Sequence, residues 1–266
     1  MAQDHNRQPG ASPDGARVHE LDSLQEQEYL FPYHHVSRFR GDFSQCFNDT
    51  WGINYLHTIE FLLQELATER FDTLVDIGCG DGRLTKEIAH EFPDALVGGV
   101  DSSPRAIEFA KAFSPDLDFN CIDLIEFEAN RKFDGALLIE VFEHIPHDQA
   151  PGLLEGVAKT LKPEAFLLVT VPHSNKPLEY KHYRHFTSEQ LEQAFQPHFT
   201  LEKLVPFEQG SWQRRLVNRI LSNRFVILNH RLLKNLLYSY TRDHLFFATE
   251  RDCQRIYAKF RLKAKH

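Results

Sequence analysis

Val75-Asp76-Ile77-Gly78-Cys79-Gly80-Asp81-Gly82-Arg83 is the stretch that decides the fold of this chain. An apolar run beginning at Thr73 ends in an acid and passes into alternate glycines at 78, 80 and 82. The run has the length and composition of a buried strand, and the glycines predict a tight turn in which a ligand can approach the backbone closely. GRLTKEIAHEF (Gly82 to Phe92) then reads as a helix whose first turn offers free N–H groups. In an open α/β sheet, the carboxyl end of a strand is where ligands bind.

Working outward, strands and helices alternate. Ala95 to Ser103 is a second strand, and SPRAIEFAKAF is a helix with Ser103 as N-cap and Pro104 in its first turn. LDFNCIDL is strand three, FDGALLIEVFEHI contains strand four, DQAPGLLEGVAKTLK is a helix, and Glu164 to Pro172 is strand five. TSEQLEQAF is a capped helix, Phe199 to Glu208 a sixth strand, and RIYAKFRLK (Arg255 to Lys263) a late antiparallel strand. This order predicts an α/β, doubly wound, Rossmann-like sheet of seven strands. WGINYLHTIEFLLQEL (Trp51 to Leu66) spaces its apolar residues as an amphipathic helix. The expected parts are a disordered tail (1–28), an N-terminal helical cap (29–70), a ligand-binding core (71–210), a basic helical insertion or lid (211–245) and the final strand of the core (246–266). Aromatics at Phe31-Pro32-Tyr33-His34-His35, with Trp51 and Tyr55, either pack the core or close over the ligand pocket.

Composition narrows the classes. Of 266 residues, 42% are hydrophobic and 26% charged, which excludes a disordered chain, a collagen-like fibre and a membrane-embedded bundle. Four scattered cysteines without a CxxC pair fit a reducing compartment, and no apolar stretch serves as a signal peptide or spanning helix, so a cytoplasmic location is expected. The net charge of −8 argues against a DNA-binding protein, but it is an average. Residues 211–266 carry 13 Lys and Arg against 3 acids, a net of +10, whereas residues 1–210 carry 17 against 35, a net of −18. Within 211–245, arginines alternate with Leu, Ile and Val. Such a segment is a lid with a solvated basic face, or it meets an anionic membrane surface (a peripheral location) or RNA.

Acids end the first three strands: Asp76, Asp101 (23 residues after Gly78, followed by Ser102) and Asp123 (followed by Leu124). A carboxylate at the second position meets ribose hydroxyls in nucleotide-binding sheets. Dehydrogenase turns run GxGxxG, so the spacing here disfavours a nicotinamide cofactor.

VDIGCGDGRLT, with these acids, resembles the class I S-adenosylmethionine-dependent methyltransferases, over about Thr73 to Phe207. The resemblance implies S-adenosylmethionine as cofactor. It implies that Asp76, Gly78, Cys79, Gly80, Asp81 and Gly82 cradle its methionine part. Asp101 and Ser102 would hold the ribose, Asp123 and Leu124 the adenine, with Glu140 also on the cofactor side. Where that family often has LKPGG before strand five, this chain has Leu161-Lys162-Pro163-Glu164-Ala165, the loss of a flexible turn that touches no cofactor group.

Glu140-Val141-Phe142-Glu143-His144 closes strand four, and His173, His182 and His185 follow. Three readings stand side by side. In one, His144 with Glu143, or a downstream histidine such as His185, is a general base for O- or N-methylation. In another, Glu140, Glu143, His144 and His182 hold Mg²⁺ or Mn²⁺ that acidifies a hydroxyl. That arrangement is similar to the small-RNA terminal 2′-O-methyltransferases, and a similar EVLEH-type stretch occurs in ubiquinone-pathway O-methyltransferases. In the third, Glu143 and His144 only shape a turn. The reading carried forward is an enzyme that O-methylates a small-molecule or lipid-like acceptor. Its rivals are a metal-dependent RNA ribose 2′-O-methyltransferase and a non-catalytic cofactor-binding partner subunit.

Overall fold

Alternating core residues build the sheet. In strand β1 (Thr73–Ile77), Val75 and Ile77 pack on one face and Leu74 on the other. In β4 (Phe133–Ile139), Ala136 and Leu138 oppose Leu137; in β5 (Leu161–Pro172), Leu167 and Val169 oppose Phe166 and Leu168. Both faces are apolar because both are covered, as parallel sheets require. The computed structural model describes residues 29, 38–39, 42–43, 51–123, 131–221 and 230–264, with backbone alone at 38–39, 42–43 and 51.

The other strands are β2 (Leu96–Asp101), β3 (Asp118–Cys121), β6 (Phe199–Gln209) and β7 (Cys253–Leu262). The seven lie in the order β3-β2-β1-β4-β5-β7-β6, parallel except that β7 runs antiparallel to both β5 and β6. The sheet is thus the predicted α/β, doubly wound one. Its order reverses beside β1, so the carboxyl ends of β1 and β4 flank the crevice where ligands bind.

Helix α1 (Trp51–Leu66) precedes β1, and helices α2 (Arg83–Glu91), α3 (Pro104–Phe113), α4 (Ala150–Thr160) and α5 (Ser188–Phe195) connect the strands. Local chemistry sets their starts. The Ser103 hydroxyl accepts from the Ala106 N–H at 3.1 Å, and Thr187 and Gln190 form a capping box. Ile53, Leu56, Ile59, Leu62 and Leu66 bury one stripe of α1 on the sheet. The predicted insertion is two helices, α6 (Trp212–Leu221) and α7 (Arg231–Leu245), and Val217, Leu221 and Leu245 join the core cluster of α1. Among the described residues, no helix is long and apolar enough to cross a membrane. The expected disordered tail (1–28), Phe31 to His35, Leu124 and residues 222–229 of the insertion lie outside the described residues.

Candidate active site

The turn after β1 is built by glycine. Gly78, Gly80 and Gly82 have φ of 76°, 56° and 78°, in the left-handed region that L-residues seldom enter. A Cβ on Gly78 would lie 2.3 Å from Val141 Cγ2, so the turn after β4 closes against it. The Gly78 and Cys79 N–H groups donate to the Val100 carbonyl at 2.8 and 3.0 Å, tying the turn to β2. Asp76 is buried and accepts from the Thr85 hydroxyl at 2.7 Å. Asp101 is also buried; its two oxygens accept from the Gly80 and Ser103 N–H groups, each at 2.9 Å. Cys79 is buried against Gly99, and burial, followed by the charges of Asp76 and Asp101, pushes its thiol well up, which suits packing and not nucleophilic chemistry.

Beside this turn lies a cavity of about 260 Å³. Asp76, Gly78, Cys79, Asp101, Ser102 and Glu140 form one wall, and Glu143, His144 and His182 another. Gly80, Asp81 and Gly82 are buried within the turn and do not line the cavity, and Asp123 stands exposed just past the end of β3, also apart from it.

The second wall is positioned by aromatic packing. Phe142, in a single 3-10 turn (Phe142–His144), is buried and stacks on Phe186 at 5.4 Å, with the Arg184 guanidinium over its ring at 4.9 Å. That anchor brings Glu143, 1% exposed, and His144 to the segment carrying His182 and His185. One atom each of Glu143, His144 and His182 lie within 4.8 Å of one another. Burial, then the charge of Glu140, pushes the Glu143 carboxyl well above the usual range, and its Oε2 has no hydrogen-bond partner.

The histidines form a chain whose tautomers follow from chemistry. His185 Nδ1 lies 3.0 Å from the Lys176 carbonyl, which can only accept, so this nitrogen carries a proton. Burial holds His185 below its ordinary pKa, and burial followed by the His144 charge lowers His182 further, so both are neutral at pH 7. His185 Nε2 therefore accepts from His182 Nδ1–H at 2.8 Å, which leaves His182 Nε2 as a lone-pair nitrogen.

Other predicted groups have different roles. Glu140 stays at the cavity edge with φ 55°, but its oxygens accept from Thr170 at 3.0 Å and Arg255 at 2.7 Å, so it does not join the Glu143–His144–His182 group. His173 has both ring nitrogens engaged, by Glu250 at 3.0 Å and the Asn175 N–H at 3.0 Å, outside the cavity wall. Asn54, Thr58, Lys176, Glu179, Lys181 and Arg255 line the cavity without having been singled out by sequence. Arg255 in particular is 115 residues from Glu140 and sits in an ordinary strand alternation; only the pairing of β7 with β5 brings it there. Tyr55, of the aromatics noted above, lines it, and so does Tyr29, which had not been singled out.

A methyltransferase-domain family matches residues 53–205, more than half of the chain and all of the glycine turn. The chain belongs to the class I S-adenosylmethionine-dependent methyltransferases. Among curated members, it is similar to malonyl-[acyl-carrier protein] O-methyltransferase of Acetivibrio thermocellus (31% identity over 113 residues, 42% of this chain and 39% of that one). It is also similar to trans-aconitate 2-methyltransferase of Methylobacterium radiotolerans (36% over 111 residues, 42% of each chain). The chain thus spans about two fifths of the length of the curated relatives it matches. Among solved methyltransferases, the N-methyltransferase NodS of Bradyrhizobium japonicum with S-adenosyl-L-homocysteine superposes with a TM-score of 0.57 at 17% identity, over 83% of this chain and 95% of that one. Magnesium protoporphyrin IX methyltransferase of Synechocystis with bound SAM gives 0.60 at 14%, over 96% and 100%. At these identities the structural likeness shows the fold.

Proposed function

We propose that this class I methyltransferase transfers a methyl group from S-adenosylmethionine to a hydroxyl oxygen on a small-molecule or lipid-like acceptor. One observation carries the reading: a single cavity joins the glycine turn and Asp101 to the Glu143–His144–His182 group. On this reading residues 71–210 and the final strand are the catalytic core, with 211–245 covering one face. The turn and Asp76 hold the methionine part of the cofactor, and Asp101 with Ser102 holds the ribose. The sulfonium needs no activation; the protein's work is to align oxygen, methyl carbon and sulfur and to take the hydroxyl proton. His144 accepts that proton as the O–CH₃ bond forms and the S–CH₃ bond breaks, leaving neutral S-adenosylhomocysteine. Glu143 and His182 hold its ring. The activities of the related malonyl-[acyl-carrier protein] O-methyltransferase and trans-aconitate 2-methyltransferase support a small acceptor.

A second reading draws on the same trio. A buried carboxylate with an unpartnered oxygen and two imidazoles within 4.8 Å fit a divalent ion such as Mg²⁺ or Mn²⁺. The second-nitrogen bond of His182 to His185 is the outer-shell support that metal-binding histidines have. Such an ion would lower the pKa of a bound hydroxyl.

Calorimetry and labelled-cofactor transfer separate these. S-adenosylhomocysteine should bind, and Asp101→Ala should weaken it at least ~10-fold from the loss of one charged hydrogen-bond partner; preferential NAD binding overturns the cofactor assignment. In extract fractions sorted into lipid, RNA, protein and small molecules, label should enter the small-molecule or lipid fraction. His144→Ala should slow transfer by ~100-fold without changing cofactor affinity. Label in RNA would select the ribose reading, and no transfer at all the partner-subunit reading. A Mn²⁺-dependent melting shift that His182→Ala removes would establish the ion, and its absence from the wild type rejects it.

A further inference from the structure

The outer face of the insertion is amphipathic in an unusual sense: its apolar residues are in water. Helix α6 turns Arg214, Val217 and Leu221 inward, and leaves Trp212 66%, Leu216 50% and Ile220 41% exposed, one turn apart along the opposite face. Helix α7 buries Thr241 and Leu245 and exposes Leu232 at 74%, Leu236 at 64% and Tyr240 at 37%, again at four-residue intervals. Soluble proteins scatter single exposed apolar residues, but two adjacent helices each carrying a continuous stripe mark an interaction surface. Arg215 and Arg219 are exposed between the apolar residues of α6. The two helices are themselves basic: Arg214, Arg215, Arg219, Arg231, Lys234 and Arg242 stand against the single acid Asp243.

From these features we infer that the α6–α7 face docks on an anionic lipid surface, with the apolar stripes entering the headgroup boundary and Arg215 and Arg219 at the phosphates. The chemistry selects lipid over other occupants. A nucleic acid would use the arginines but give Leu216, Leu232 and Leu236 nothing to bury against. A second copy of the chain would bury the leucines while bringing like charges of the two basic faces together. A bilayer with acidic headgroups satisfies both, and Trp212, whose ring suits the boundary between headgroup and acyl chain, stands at the start of α6. The strongly acidic remainder of the chain is repelled by the same surface, so docking fixes one orientation. No bond forms or breaks, and the inference stands whether or not the catalytic reading does.

The test is co-sedimentation of the full chain with vesicles of phosphatidylcholine alone and of phosphatidylcholine mixed with phosphatidylserine. Tryptophan emission, with Trp212→Phe as control, is read in parallel. Binding should favour the anionic vesicles by ~10-fold or more at low salt and fall as salt screens the charges. Trp212 emission should shift to the blue. Leu232→Ser with Leu236→Ser should lose binding by ~10-fold or more, as expected for two side chains no longer leaving water. Arg215→Ala with Arg219→Ala should lose the preference for anionic vesicles. All four positions are exposed, so both double variants should melt with the wild type. The inference is overturned if the wild type stays in solution with both vesicles, if it binds both equally, or if the leucine variant binds undiminished. It is also overturned if the face instead retains single-stranded RNA, or forms a dimer that the leucine variant abolishes, without vesicle binding. Cofactor calorimetry on the same samples separates a failure here from a failure of the catalytic assignment.

Discussion

Among the described residues, backbone sign and residue type disagree at three places and agree at three others. Gly78, Gly80 and Gly82 are left-handed and glycine; Glu140, Glu164 and Glu208 are left-handed and not. Gly78→Ala should therefore cost twice: an L-residue at φ 76° and a Cβ set 2.3 Å from Val141. Strain of about 1–3 kcal/mol is expected, along with loss of S-adenosylhomocysteine binding in calorimetry, because Val141 must move into the cavity it lines. Glu164 is the opposite case. It is exposed and has φ 58°, a conformation that glycine adopts without strain. Glu164→Gly relieves a left-handed L-residue at about 1–2 kcal/mol and adds unfolded-state freedom at about 0.5–1 kcal/mol, for a net gain near 1 kcal/mol in urea unfolding. A loss of stability would mean that Glu164 is held by more than its turn. The other two strained glutamates both clamp Arg255, which is why their conformation is maintained: Glu140 pairs with it at 2.7 Å and Glu208 from the far side.

At the level of elements, the sequence was legible wherever a local rule decides the outcome. The apolar spacing of α1, the Ser103 and Thr187 caps and the strand before the glycine turn depend on neighbours within a few residues. What could not be read was decided by distant partners. Strand β5 starts at Leu161 instead of Glu164 because Leu161 pairs with Phe133 before a register shift that restores Gly135 against Phe166. The cavity's Arg255 and Asn54 were invisible for the same reason, each arriving from an element more than a hundred residues from its partner. Asp134 is another such tie. Its Oδ2 accepts from the Asp72 and Thr73 N–H groups and the Thr73 hydroxyl, and its Oδ1 from Lys162 at 2.7 Å, joining β1, β4 and β5. Burial alone would raise this carboxyl, but the bonds from Lys162 and Thr73 outweigh it and hold it below its ordinary value. A depressed folded pKa gives stability that is present above the unfolded value near 3.9 and lost as pH falls through the folded one. Asp134→Asn should accordingly destabilise by about 1 kcal/mol at pH 7, a modest figure because the side chain keeps partial contact with water and the amide can retain some of its bonds. The gap to wild type should narrow as the pH falls from 7 through the lowered folded pKa, below which both side chains are neutral. A gap in urea midpoints that stays the same over this fall in pH would assign the effect to shape instead of charge.

Across the whole molecule, the insertion is more than an appended lid, because its buried face is wired to the cavity. Arg214 is 6% exposed, and burial draws its pKa down to about 10, so it stays charged at neutral pH. It donates to the carbonyls of Gln209 at 2.8 Å and Leu245 at 2.6 Å, and to the Asn54 side chain. Asn54 in turn donates to Glu208 at 2.8 Å, Glu208 pairs with Arg255, and Arg255 with Glu140. Asn54, Arg255 and Glu140 line the cavity, so one continuous polar path runs from the start of α6 and the end of α7 to the cavity wall. Removing the guanidinium leaves two buried carbonyls and an amide without their donor, at about 2–3 kcal/mol net. For a chain of this size each kcal/mol is worth about 2–4 °C, so Arg214→Ala should melt about 5–10 °C below wild type. Because the path ends at Glu140, cofactor affinity should also fall several-fold. Arg242→Ala is the matched control. Arg242 lies exposed on α7 and pairs only with its neighbour Asp243 among the ion pairs seen in the described residues, and its loss should move the midpoint by less than ~2 °C. If Arg214→Ala melts with the wild type, α6 and α7 are not anchored through this residue. If it melts lower yet binds S-adenosylhomocysteine with unchanged affinity, the path carries stability alone, and the cavity wall is held by Glu208 and Arg255 without help from the insertion.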